Sequence, residues 1–302
     1  MKKAWSIIWK VALACGVLGI ALMVVGLTRG WPNAISFDRH GTHVAVPRDI
    51  DVDETVATFT AIDVNVSICD VRVVTGAHYG VVIHWPNTTR DITWTSDGST
   101  LQIKETGPSM VMQWLSSSCV TTVTAPADSK LTNINVTSST GNVSVDVAAD
   151  RMVLQDSTGD IRLSADAATQ ADLISSTGSV TVTADVANLT ASSSTGDVAA
   201  EGHFSVVKAT SSTGGVSVSG SAGSVQVSSS TGDVRLTLNS PWDAVSYYFH
   251  TDTGRITVAG PGSPYFGGGS GPHQMRSPAN LSQSDYFEVG SSTGDIYVTL
   301  GG

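Results

Sequence analysis

An all-β fold, built as a parallel β-solenoid with coils of about 18 residues behind one N-terminal transmembrane helix, is predicted by three features of this 302-residue sequence. A hexapeptide of the form SSTGDV recurs through the second half at nearly constant spacing, and a fixed period of this kind signals a repeat architecture. Aliphatic residues flank each copy at fixed offsets. Beyond residue 30 helix formers are scarce while Val, Thr, Ser and Gly dominate, which favours strands joined by tight turns.

Composition sets the outer bounds. At 41% hydrophobic the chain has enough apolar side chains for a sizeable core. The formal net charge is -10, but Lys2, Lys3, Lys10 and Arg29 all lie in the first 30 residues, which contain no acid. The remainder carries 12 basic against 26 acidic side chains, and a body so acidic repels nucleic acid.

Residues 1–30 read as a cytoplasmic basic head and a membrane anchor. An uncharged run extends from Val11 to Leu27, and with Lys10 snorkelling the apolar stretch begins near Trp5. Residues 5–27 are long enough to cross a bilayer. Three lysines before the uncharged run against one arginine after it place the N-terminus inside and the remaining chain outside a cell membrane. Trp5, Trp9 and Trp31 suit the two interfaces. The apolar run continues well past the small-residue site at "ALA", favouring a retained anchor over a cleaved leader. Cys15 lies inside that run rather than closing it, unlike a lipoprotein box.

Residues 31–53 form a linker. Residues 54–130 form the first strands of the ectodomain, from the alternation in "FTAIDVNVSICDVRVV" and in the short runs "YGVVIHW", "DITW" and "STLQIKE". Cys69 and Cys119 are the cysteines outside the anchor; a disulfide and two buried thiols both fit their strand-like surroundings. No Cys/His cluster with zinc spacing is present.

The repeat occupies residues 131–302. Its turn glycines are Gly141, Gly159, Gly178, Gly196, Gly214, Gly232, Gly254 and Gly294, and the residue before each is Thr. The second residue after each glycine is Val143, Ile161, Val180, Val198, Val216, Val234, Ile256 and Ile296; the fourth is aliphatic as well. Seven residues back lie Ile134, Met152, Ala171, Leu189, Val207, Val225, Tyr247 and Phe287, and a matching column lies five back. Positions two apart share one face of a strand, so each coil is one strand entering a corner and one leaving it, with two inward side chains on each. Glycine reverses the chain at the corner, and the Ser positions ahead of it stack rung on rung.

Asp160, Asp197, Asp233 and Asp295 follow their glycines and invite a calcium reading. Asn142, Ser179, Gly215 and Arg255 interrupt that column, however. Asp197 and Asp233 then stand two rungs, roughly 9.6 Å, apart at the ordinary sheet spacing. Calcium binds oxygens at about 2.3–2.6 Å, so no single ion joins them. His203, His250 and His273 are isolated in sequence and no nucleophile elbow occurs. The expectation is a protein with no enzymatic activity, no metal and no cofactor.

The interval from Gly254 to Gly294 is 40 residues long and contains a Gly/Pro-rich loop at about 260–283. Tyr265, Phe266, His273 and Arg276 in it form a candidate interaction surface, since loops carry function more often than scaffold does and aromatic and arginine side chains anchor binding. A cap on the open end of the repeat is the competing role for Tyr265 and Phe266.

"FTAIDVNVSICDVRVVTGAHYGVVIHW" and the serial "SSTGDV" coils, over residues 55–300, resemble the bacterial putative-adhesin family of β-strand-repeat proteins. The resemblance implies a β-solenoid ectodomain at the cell envelope, in contact with a protein or glycan ligand. It also implies a second role, as an accessory or sensor protein in envelope-stress regulation. A polysaccharide-acting enzyme is a further reading, which the mostly Ser, Thr and small outward positions disfavour.

Overall fold

The computed structural model describes residues 34–38, 41–45, 48–107, 110–113, 118–263, 274–277 and 286–301. Every regular element among them is a strand. Residues 5–27 lie outside the described residues; among the described residues no helix is long and apolar enough to cross a membrane.

The chain divides into two units. The smaller holds the antiparallel sheet of Ala34–Asp38, Gly41–Ala45 and Met110–Gln113, in which Phe37 is paired with Thr42 on one side and Met110 on the other.

The larger unit is built from two ladders of parallel strands. One ladder contains the strands that approach the corners, and its register runs Ile134, Met152, Ala171, Leu189, Val207, Val225. The other contains the strands that leave them, running Val143, Ile161, Val180, Val198, Val216, Val234. One turn of sequence is therefore one step of the ladder. The 19-residue step between Gly159 and Gly178 is absorbed where the register slips between Ala167 and Gln170, so one extra residue is bulged out and the corners stay aligned.

The inward columns are buried throughout, apart from the half-buried Val258, and form one continuous apolar cluster. Each fully buried Val, Leu, Ile or Phe contributes about 1.5–3 kcal/mol over its exposed state, so the periodicity marks where the stabilisation lies.

The rungs are not stacked in sequence order at either end. The strand Tyr286–Thr293 pairs with 225–231 on one side and with Ser246–Thr253 on the other; Ile296–Leu300 likewise lies between Val234–Leu238 and Ile256–Ala259. The last rung of the chain is thus inserted between its two predecessors. At the other end Ala61–Asn65 lies between Leu131–Thr140 and Thr100–Thr106, while Cys69–Thr75 lies between Val143–Val145 and Cys119–Ala125. Antiparallel strands cover parts of the outermost rungs: Asp91–Ser96, residues 80–84, and Gln274–Arg276.

A disulfide joins Cys69 to Cys119, which are register partners on adjacent strands with their Cα atoms 4.5 Å apart. Both are buried. Val71, two residues after Cys69, pairs with Val143, two residues after Gly141, so Cys69 occupies a corner position.

Candidate interaction surface

Glycine is required at the corners mainly because the rungs approach so closely there. Gly196 has φ 143°. A Cβ added to it would lie 2.3 Å from the Gly178 carbonyl oxygen. Gly254 lacks the left-handed φ, yet its added Cβ would lie 2.1 Å from the Gly294 oxygen. The threonines before the glycines are exposed, whereas the residues three before are buried. Ser193, Ser211 and Ser229 each donate their hydroxyl to the glycine carbonyl of the preceding rung at 2.8 Å, and Ser175, Ser291 and Thr251 do so at 3.0–3.1 Å.

The aspartates after the glycines are part of the same scaffold. Asp160 accepts from the Ser179 amide, Asp197 from Gly215, Asp233 from Asp295, and Asp295 from Arg255, at 2.7–3.0 Å. Each carboxylate thus binds the backbone of the next rung. Among the described residues no group of three His, Cys, Asp or Glu side chains is placed to hold a metal ion.

Asp156 breaks the serine column. It occupies the buried position at which the other rungs carry Ser or Thr, and neither carboxylate oxygen makes a hydrogen bond of good geometry. Burial pushes its pKa above the usual carboxylate value, and Asp160 adds to the rise against the opposing pull of the Thr158 and Ser157 amides and the Ser138 hydroxyl. A raised folded-state pKa means that the folded protein binds the proton more tightly than the unfolded chain. The stabilisation is present below the unfolded value and is lost as pH rises through the folded one. Asp156→Ser supplies a hydroxyl and removes the buried carboxylate, so it is expected to stabilise the protein at pH 8 by about 1–3 kcal/mol. Denaturant melts at pH 5 and pH 8 check this: the gap between variant and wild type widens with pH.

Of the candidate interaction residues, Tyr265, Phe266 and His273 lie outside the described residues. Arg276 lies on Gln274–Arg276, paired antiparallel to the outermost rung, with Tyr248 opposite Arg276 and Phe249 opposite Met275. Met275 is buried, whereas Arg276 is exposed with its guanidinium 4.8 Å from the Tyr248 ring centroid. Tyr248 stacks in turn on His250, 5.1 Å away. The His250 ring lies over Gly290 of the neighbouring rung, where an added Cβ would come within 2.5 Å of it. Tyr286 is exposed on the same neighbouring strand. Beneath them Tyr247 stacks on Phe249 at 5.0 Å with Trp242 edge-on to both, and the Trp242 indole donates to the Ala259 carbonyl.

The outermost rungs therefore present an aromatic and cationic surface where most rungs before them present Ser, Thr, Asn, Gln and charged groups. Such a surface offers ring faces and a guanidinium to a planar or hydroxylated ligand. His203 is not part of it: it pairs with Asp185 at 2.8 Å, exposed, on another coil. Sequence reasoning missed Tyr248 and Tyr286 because each adjoins an inward aromatic, Tyr247 or Phe287. The alternation of a strand was the available signal, since a neighbour of an inward residue points outward.

These ladders and their corners define an all-β protein of stacked parallel rungs with an unclosed sheet. The chain belongs to the Toastrack DUF4097 family, a domain of unknown function, whose model matches residues 59–268. No curated protein matches the sequence. Among solved structures it is similar to a "putative adhesin" from Parabacteroides distasonis, at 12% identity and TM-score 0.44 over 83% of this chain and 97% of that one. It is also similar to a "putative cell adhesion protein" from Clostridium sporogenes, at 11% identity and TM-score 0.26 over 84% and 100% of the two chains. A "putative lipid binding protein" from Parabacteroides distasonis is similar at 10% identity and TM-score 0.40 over 83% and 96%. These likenesses assign no function.

Proposed function

We propose that this chain is a membrane-anchored bacterial cell-surface protein whose parallel β-solenoid is an adhesive or interaction scaffold without catalytic activity. Residues 5–27 anchor it in the bilayer, and the body faces outward to meet a protein or glycan of the envelope or of another surface. The observation that carries this reading is the outward cluster of Tyr248, His250 and Arg276, with Tyr286 beside it, on the outermost rungs. Aromatic and arginine side chains concentrated on one patch are the usual composition of a binding centre.

A deletion strain complemented with the full-length chain tests it. Tyr248→Ser with Arg276→Ser is expected to weaken attachment to isolated envelopes by about 2 kcal/mol, close to thirtyfold, at unchanged surface level. Normal attachment combined with altered envelope-stress transcription in the deletion strain would instead support the regulatory role.

A further inference from the structure

The hydroxyls that tie the glycine corners together leave one corner out. Six corners are closed by a Ser or Thr donating to the glycine carbonyl of the preceding rung, from Ser175 on Gly159 to Thr251 on Gly294. Gly254 lies on the outermost rung, with no rung beyond it to donate. Gly141 is different: a rung does follow it, yet its carbonyl oxygen accepts no hydrogen bond among the described residues. The side chain in the donor's place is Asp156, register partner of Ser138 on one side and of Ser175 on the other.

An ionised carboxylate has only acceptors, so it cannot do what the serine hydroxyl does. A Cβ added to Gly159 would touch both the Gly141 carbonyl oxygen and Asp156 Oδ2, so two acceptors converge on the space that the glycine leaves. Asp156 is 5% exposed, which keeps bulk water from separating them. The facing Ser138 hydroxyl is itself buried without a partner of good geometry. A protonated carboxyl resolves all three: its O–H donates to Gly141 as the serines do, and its other oxygen accepts from Ser138.

The surroundings hold no cation that would keep the group ionised. Ser138 and Ser175 face it from the neighbouring strands, and Asn142 in the preceding corner accepts from the Asp160 amide. Asp160, in its own corner, is the one charged group that acts on it, and that negative charge opposes ionisation.

We propose that Asp156 is a proton-operated latch between the first two glycine corners: protonated, it holds the Gly141 carbonyl to the next rung, and loss of the proton to solvent releases that corner. Burial raises the pKa of the group, so the proton is retained to higher pH than on an exposed aspartate. The latch is closed below the folded-state pKa and opens as pH rises through it. It is independent of the anchor and of the aromatic patch.

Hydrogen exchange of the full-length protein in bilayer nanodiscs tests it at the Gly141 amide, which donates to the Thr158 carbonyl across the same corner at 3.0 Å. Between pH 5 and pH 8 its protection factor is expected to fall about tenfold in wild type, the yield of one buried hydrogen bond. The Gly178 amide, bonded to Thr195 two rungs on, is the internal control and keeps its protection. Asp156→Asn retains a donor at every pH and Asp156→Ser restores the hydroxyl of the column, so both hold Gly141 protected at either pH. Asp156→Ala has no donor and is expected to be weakly protected at both. A Gly141 protection factor in wild type that is the same at pH 5 and pH 8 would overturn the latch. So would an Asp156 carboxyl carbon that titrates by NMR in the ordinary carboxylate range, or equal protection in Asp156→Ala and Asp156→Asn, which would leave the side chain a packing role alone.

Discussion

Gly196→Val is expected to destabilise the protein by about 3 kcal/mol, through left-handed strain and steric overlap together. The valine would have to adopt φ 143° and its Cβ would lie 2.3 Å from the Gly178 carbonyl oxygen. That oxygen is also the acceptor for the Ser193 hydroxyl, so relief by moving it costs a buried hydrogen bond. Thr195→Val, one residue earlier and exposed, is the matched control and stays within about 0.5 kcal/mol of wild type. Equilibrium denaturation of the three proteins checks the pair of values. Equal stability of Gly196→Val and wild type would mean that the rungs do not approach at that corner.

Removal of the disulfide is the second large effect. Cys69 and Cys119 are 50 residues apart in sequence, and closing a loop of that length restricts the unfolded chain by roughly 4 kcal/mol on the chain-entropy account. The bond joins the inserted rung at residues 61–75 to the rung beyond it, where no glycine corner holds the two together. Cys69→Ser with Cys119→Ser is therefore expected to lower stability by about 2–4 kcal/mol. Reductant should lower wild type to the same level and leave the double variant unmoved.

The inward columns were legible because periodicity reports which side chains face the core. The order of the rungs was not, because every rung presents the same pattern to either neighbour. Ile296 fits beside Val234 as well as beside Ile256, and the structure places it between them. Within the Gly/Pro-rich stretch between Ala259 and Tyr286, Gln274–Arg276 pairs with the outermost rung. Cys69 shows the converse. Ile62 and Val64 precede it, and Val71 and Val73 follow it, at the offsets read from the glycines, but without Thr-Gly the corner gave no local mark. At the candidate surface Arg276 was legible from its loop composition. Tyr248 was not, since its neighbours Tyr247 and Phe249 belong to the core. The aspartates after the glycines each give one carboxylate oxygen to an amide of the next rung, a scaffold role that their sequence position alone did not reveal.

The rung order is tested most directly by paired cysteines on the outward face, with Cys15 replaced by serine. Glu288 is the register partner of both Gln226 and Tyr248, whereas Gln226 and Tyr248 are separated by a full rung. Gln226→Cys with Glu288→Cys is expected to form a disulfide on mild oxidation of the folded protein, and Gln226→Cys with Tyr248→Cys is not. Rapid bonding of the second pair together with none in the first would show the rungs stacked in sequence order and would contradict the inserted C-terminal rung.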